Sequence, residues 1–244
     1  ALDNTILPAL NDISTQQSKP TENTLKKCKR LLDYVTTYKN TFLRYHASDM
    51  ILHVDSDAAY LVAPVAKSRI AGFFYFKQAP DGSLLKHLNN PVYIECKYLR
   101  HVVASAAEAE VGGLFHNCQS SIPIRNCLIL MNHPQPPTPV KTDNSTAFGF
   151  IYDNIHQKCS KSCDMRYYWL RDGLAQLPFN FYWDKGSNNY ADYHTKHHAT
   201  KHHRLMRRKY VQDKLFAMLV HICEGALPSI PILQAPRIKP GDPE

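Results

Sequence analysis

The spacing of apolar residues changes several times along the chain, and each change marks an expected element. Residues 1–20 show little periodicity and are interrupted by Pro8 and Pro20. Thr21 or Thr24 then stands where a helix cap belongs. Leu25, Cys28, Leu31, Leu32, Val35 and Tyr38 follow at helical intervals, which predicts a helix ending near Tyr45. Strand patterns come next at 50–56 (MILHVDS), 70–77 (IAGFFYFK) and 91–99 (PVYIECKYL), with Pro80, Asp81 and Gly82 marking the connection between the last two. Three strands in succession predict an antiparallel meander. From Ser105 the period is helical again, through Ala107, Val111, Leu114, Phe115 and Cys118 towards Met131. A Pro-rich turn at 133–139 precedes a short strand at 139–143. Helices are expected at 145–157 and 161–176, a strand at 179–184 (FNFYWD) and a short helix near 188–195. This order describes an α/β fold, a mixed sheet flanked by helices. Beyond His197 the chain turns basic, and residues 228–244 hold five of the 16 prolines, which predicts an extended tail.

Composition adds two constraints. A hydrophobic share of 44% over 244 residues supports a packed body rather than a disordered chain. The excess of 29 Lys and Arg over 21 Asp and Glu, a net +8, favours a polyanionic partner, nucleic acid before anionic membrane. Seven scattered Cys form no regular framework, which suits reduced intracellular thiols. No apolar run approaches the roughly 20 residues that span a bilayer. Beginning on Ala rather than Met, the chain reads as a fragment or a processed product. Nine Gly leave little room for a Gly-rich phosphate loop, and no Gly-x-Ser-x-Gly elbow is present.

The acids are the chemically informative residues. Two-metal phosphodiester hydrolysis needs several carboxylates converging on hard cations roughly 4 Å apart. In the first strand, alternation puts Ile51, His53, Asp55 and Asp57 on one face and Met50, Leu52 and Val54 on the other. An acid in so apolar a strand is costly unless paired, although Asp-Ser-Asp also opens loops. Glu108 and Glu110 lie about 200° apart around the next helix, so only one can face a common site; both also suit a helix N-terminus. Asp143 and Asp192 each stand where a helix cap would. Singly these signals are weak; their order along this pattern of elements is what matters.

That order resembles the ribonuclease H region of copia-type retroelements. HVDSDAAY is similar to the family's first-strand Asp-Ala-Asp or Asp-Ala-Ser motif, and KSRIAGFF to its Ser-Arg-x-Gly segment. SAAEAEV, TDNSTA, DMRYYWLRD and NNYADYHTKHH resemble its later blocks in the same order, over about residues 48–208. The resemblance implies a ribonuclease H-like fold with a five-stranded mixed sheet, three antiparallel strands and then two parallel ones. It implies Asp55, Glu110, Asp143 and Asp192 as catalytic acids holding two Mg²⁺ or Mn²⁺ ions, with Asp57 where Ser or Asp is usual. Spacing alone does not choose Glu110 over Glu108. The implied organisation is a tether to a preceding reverse transcriptase (1–47), the nuclease domain (48–200) and a basic, then Pro-rich, tail (201–244). The implied partners are RNA–DNA hybrid and the reverse transcriptase of the same polyprotein, in the cytoplasm or a virus-like particle, with no membrane and no small-molecule cofactor. Cellular relatives carry a His in the loop before the last Asp. DKGSNN (184–189) has none, and His194 and His197 follow Asp192 instead.

Nucleic-acid contacts are expected from Asn144, Asn188 and Asn189, which flank site acids and suit sugar hydroxyls, and equally suit caps and turns. HTKHHATKHHRLMRRK (194–209), with Lys196, Arg204 and Arg207, suits hybrid phosphates or a solvated tail. Its His residues, with Cys159 and Cys163, lack zinc-finger spacing. Tyr167, Tyr168 and Trp169 are expected in the core of a helix whose basic residues face outward. Two other readings stay open: a decayed or domesticated hybrid-binding module, and another nuclease or integrase of the same superfold.

Overall fold

The computed structural model describes residues 3–78, 89–152, 161–175 and 179–213. Cys159 and the Pro-rich tail lie outside them. A five-stranded sheet organises the molecule. Its strands are β1 (Ser48–Ala63), β2 (Lys67–Gln78), β3 (Pro91–Tyr98), β4 (Thr138–Thr142) and β5 (Phe179–Trp183), in the order β3-β2-β1-β4-β5. β1, β2 and β3 are antiparallel neighbours, while β4 and β5 run parallel to β1.

The alternation expected in β1 sorts its side chains onto two different cores. Leu52 and Val54 face α3 (Ala106–Leu130), packing with Phe74, Val111, Leu114 and Cys118. α4 (Ser145–Ile151) and α5 (Lys161–Ala175) complete that layer, where Tyr167 is buried and Trp169 packs at the edge while Tyr168 is exposed. On the opposite face Phe73 and Tyr75 of β2 pack with Tyr193 of α6 (Asp192–Thr195) and Tyr210 of α7 (Thr200–Tyr210). α3 begins where Ser105 accepts from the Glu108 N–H at 3.1 Å. Close packing of α3 on the sheet requires Gly72, whose missing Cβ would collide with the Asn117 side chain. Asn117 uses that space to donate to Ser56 Oγ at 2.8 Å and to the Ala71 carbonyl at 2.9 Å.

Two regions differ from expectation. The aperiodic N-terminus forms a 3₁₀ turn (Asn4–Ile6) and α1 (Leu7–Ser14), while α2 (Glu22–Thr37), opened by a Thr21–Thr24 capping box, ends with its apolar stripe and short of the Tyr45 expected. Residues 200–210, expected to begin a tail, are helical because α7 has partners at the other end of the chain. Arg207 donates to Tyr34 Oη at 2.9 Å, to Asp3 at 3.2 Å and to Thr41 Oγ1. A short ladder joins Thr41–Phe42 to Gln212–Asp213.

The N-terminal helices are held to the sheet by an ion pair between Asp12 and Arg69, which is 1% exposed and also donates to Tyr98 Oη. Burial raises the Asp12 carboxyl, but hydrogen bonds from His197 and Tyr98, with the charges of His197 and Arg69 behind them, hold it at about 2. Breaking a buried pair leaves one charge uncompensated. Asp12→Ala is therefore expected to destabilise the protein by about 3 kcal/mol and to expose residues 3–40 to limited proteolysis, measured by denaturant melts and fragment mapping.

Candidate metal centre

Three acids from three elements converge at one end of the sheet. Asp57, Glu110 and Asp143 place carboxylate oxygens within 4.8 Å of one another. The strand register explains the group. β1 and β4 are parallel, with Asp55 opposite Lys141. Two residues further along both strands, the same register sets Asp57 beside Asp143.

It also corrects the first-strand expectation. Asp55 lies apart from the group, fully buried under the tyrosines of the second core. Its Oδ2 accepts from Lys141 Nζ at 3.0 Å and from the Tyr190 N–H at 3.0 Å. Burial pushes the Asp55 carboxyl up, and Lys141 and these hydrogen bonds oppose the rise. Lys141 also donates to the Asn188 carbonyl at 3.0 Å, so the pair ties the 184–189 loop to the sheet.

Glu108 and Glu110 separate as helical geometry requires. Glu108 Oε2 turns back to accept from the Ala104 N–H at 2.7 Å, serving the helix start. Glu110 enters the acidic group, and its Oε2 is buried without a hydrogen-bond partner among the described residues. Burial first, then Asp57 and Asp143, push the Glu110 carboxyl well above its usual range. Burial likewise raises Asp57 to about 7, against a lowering hydrogen bond from Thr195. Asp143 is raised by burial and by Asp192. The Thr195 hydroxyl lies 2.6 Å from Asp57 Oδ2 and 2.8 Å from the Asp192 carbonyl oxygen. The hydroxyl donates to the Asp57 carboxylate and so opposes the upward push of burial on it.

The fourth expected acid, Asp192, borders the group and is not within it. Lys196 Nζ sits 2.6 Å from Asp192 Oδ1. Asp57 and Asp143 also act on this ammonium, which partly offsets the concentrated negative charge. Gly186 approaches from the loop: a Cβ there would come within 2.6 Å of Asp143 Oδ2.

Other expected contacts are placed as follows. Asn144 caps α4, accepting from the Ala147 N–H at 2.9 Å. Asn189 is buried, donating to the Ser56 carbonyl at 2.8 Å and accepting from the Ala191 N–H at 3.0 Å. Asn188, Lys196 and Arg204 are exposed. Arg207 is not on a nucleic-acid surface; its guanidinium is buried against Tyr34, Asp3 and Thr41. Neither His after Asp192 stands in for the missing loop His: His194 is fully buried beside Phe73 and Tyr210, and His197 pairs with Asp12 at 2.5 Å. Thr195 and Lys141 were not singled out by sequence, although Lys141 in β4 and Asp143 just after it repeat the spacing of Asp55 and Asp57 in β1.

An all-carboxylate donor set with an unpartnered buried oxygen fits a hard divalent cation such as Mg²⁺ or Mn²⁺. Without such a cation the group has a testable consequence. Carboxyls with raised native pKa values hold protons more tightly folded than unfolded. Their stabilisation is complete below about pH 4 and is lost as pH rises through about 7. The melting temperature in chelator is expected to fall between about pH 5 and pH 8, less steeply in Asp57→Asn. Saturating Mn²⁺ should raise it most at the alkaline end.

Strand order and direction decide the fold class. The fold is ribonuclease H-like. Solved structures resembling the chain include the N-terminal ribonuclease H domain of a Mycobacterium tuberculosis protein, as a fusion with maltose-binding protein, at 14% identity and TM-score 0.40 over 58% of this chain and 87% of that one. A ribonuclease H1 termed LC11, solved with an RNA/DNA hybrid, overlaps at 10% identity and TM-score 0.40 over 58% of this chain and 91% of that one. A foamy viral protease-reverse transcriptase solved with dsDNA overlaps at 12% identity and TM-score 0.34, over 69% and 96%. Overlaps this loose add nothing to the topology itself. No protein-family model matches the chain, and no curated protein matches its sequence.

Proposed function

We propose that the chain is a divalent-metal-dependent endonuclease that hydrolyses the RNA strand of RNA–DNA hybrids. The observation that carries this reading is the meeting of Asp57, Glu110 and Asp143 around a buried carboxylate oxygen without a partner. Asp57, Glu110 and Asp143 would hold the metal, with Asp192 at the border. Bound Mg²⁺ or Mn²⁺ would supply activation of water and stabilisation of the departing 3′-oxygen. The chain's own contribution is positional. The Asp55–Lys141 pair locks the β1–β4 register that sets Asp57 beside Asp143, and the Lys141 bond to Asn188 holds the adjoining loop. Thr195 orients Asp57, and Asn189 anchors the end of the 184–189 loop to β1. Lys196, Asn188 and Arg204 are exposed groups suited to phosphate or sugar oxygens.

The motif order supports reading this activity as part of reverse transcription by a copia-type retroelement, beside the reverse transcriptase of the same polyprotein, in the cytoplasm or a virus-like particle. No helix among the described residues is long and apolar enough to cross a membrane. The purified chain is expected to cut a labelled hybrid only with Mg²⁺ or Mn²⁺, leaving RNA 3′-hydroxyl ends and intact DNA. Cleavage that survives chelation, or none with either ion, would contradict this function.

A further inference from the structure

A cavity of about 520 Å³ opens between the N-terminal helices and the α6–α7 region. Its volume is in the range of small-ligand sites, and its lining has two characters. Ile6, Pro8, Ile13 and Leu31 make apolar wall, while Lys27 and Arg30 of α2 and Lys196 contribute cations to the lining. The one acid in the lining, Asp12, is already engaged by Arg69 and His197. No ion pair among the described residues involves Lys27 or Arg30. The aromatic part of the lining is the partly buried Tyr34 and His198, the latter backed by the buried Tyr193, on which it stacks at 4.5 Å and 17°. His198 is fixed there by its hydrogen-bond contact with the Tyr193 carbonyl at 2.9 Å.

Lys196 connects this cavity to the acidic group, since the ammonium that lines it also pairs with Asp192. Cations for phosphate, an aromatic surface for a base and an apolar wall are the components of single-strand nucleic-acid sites. A cavity of this size admits a single unpaired nucleotide. We propose that the cavity holds an unpaired nucleotide of a strand that runs on from the hybrid lying at the carboxylates. Which strand is bound depends on the hybrid's orientation; the base is read only by stacking, so the preference is for single-stranded character rather than for sequence. The position beside the carboxylates rests on the nuclease reading, whereas the affinity for unpaired nucleotides does not.

The test is fluorescence anisotropy of the full chain in chelator, with a blunt RNA–DNA hybrid and with the same hybrid carrying a single-stranded extension on each strand end in turn. One extension is expected to tighten binding about tenfold, the gain of roughly 1.4 kcal/mol that one stacked base gives. In Lys27→Ala/Arg30→Ala the ratio of extended to blunt affinity should fall towards one. The salt slope for the extended substrate should drop by about 1.4, or about 0.7 for each lost single-strand phosphate contact. Lys27→Arg/Arg30→Lys should restore both. No preference for any extension, or a ratio unchanged in the double alanine variant at unchanged melting temperature, would overturn the proposal. So would full displacement of the extended strand by inorganic phosphate at low concentration, which would mark a small-anion site. Failure of the nuclease reading is seen separately, as wild-type chain that does not cut blunt hybrid with Mg²⁺.

Discussion

Asp57→Asn is expected to lower metal-dependent cleavage of RNA–DNA hybrid by at least about a hundredfold, while the metal-free variant melts no lower than the wild type. Loss of groups that merely support a metal ligand costs about 10–100-fold, and Asp57 is placed as a ligand itself. The stability half of the prediction follows from the raised carboxyls: Asp57, Glu110 and Asp143 repel one another in a buried site. An amide at position 57 removes one of those charges and keeps the Thr195 contact within hydrogen-bonding reach. Lost activity with retained or raised stability marks a functional group held at the expense of the fold. Steady-state cleavage and thermal melts in chelator measure the two halves. A variant that is both inactive and strongly destabilised would assign Asp57 a structural role.

Asp55→Ala is expected to behave in the opposite way. It strands the Lys141 ammonium, which is 7% exposed, and should cost about 3–5 kcal/mol. For a chain of this size that is on the order of 10 °C in melting temperature. Lys141→Met alone should also destabilise, by leaving the fully buried Asp55 carboxyl without its cation. The double replacement Asp55→Leu/Lys141→Met should recover most of the loss, because exchanging a whole buried pair for apolar side chains is often neutral or better. The signature is therefore strong non-additivity in a double-mutant cycle. Additive losses would mean that the two side chains act independently. Metal affinity of the double variant, measured by Mn²⁺ titration, should stay close to wild type, since the backbone pairing of β1 with β4 keeps the register once apolar side chains fill the space of the pair.

The contrast between these neighbouring acids shows what can be read from the chain and what cannot. Alternation in β1 correctly put Asp55 and Asp57 on one face, and the capping Ser105 and apolar stripe of α3 located the helix that carries Glu110. Choosing between Asp55 and Asp57 needs the offset between two parallel strands separated by more than 80 residues, a tertiary property that alternation leaves open. Glu108 and Glu110 posed a similar problem, settled only by which side of α3 meets the sheet and which glutamate turns back to Ala104. α7 was hidden for another reason. Its sequence is dominated by His, Lys and Arg, and the buried positions Arg207 and Tyr210 are satisfied by Tyr34, Asp3 and Tyr190, far away in the chain. Local pattern reports an amphipathic face well, but it cannot report a polar residue buried by remote partners.

Anomalous diffraction from crystals soaked in Mn²⁺ tests the central claim most directly. Manganese is expected at oxygen-ligand distances of about 2.0–2.6 Å from the carboxylates of Asp57, Glu110 and Asp143, with Asp55 still paired to Lys141. Manganese bound at Asp55, or no manganese at the three acids under saturating ion, would contradict the account.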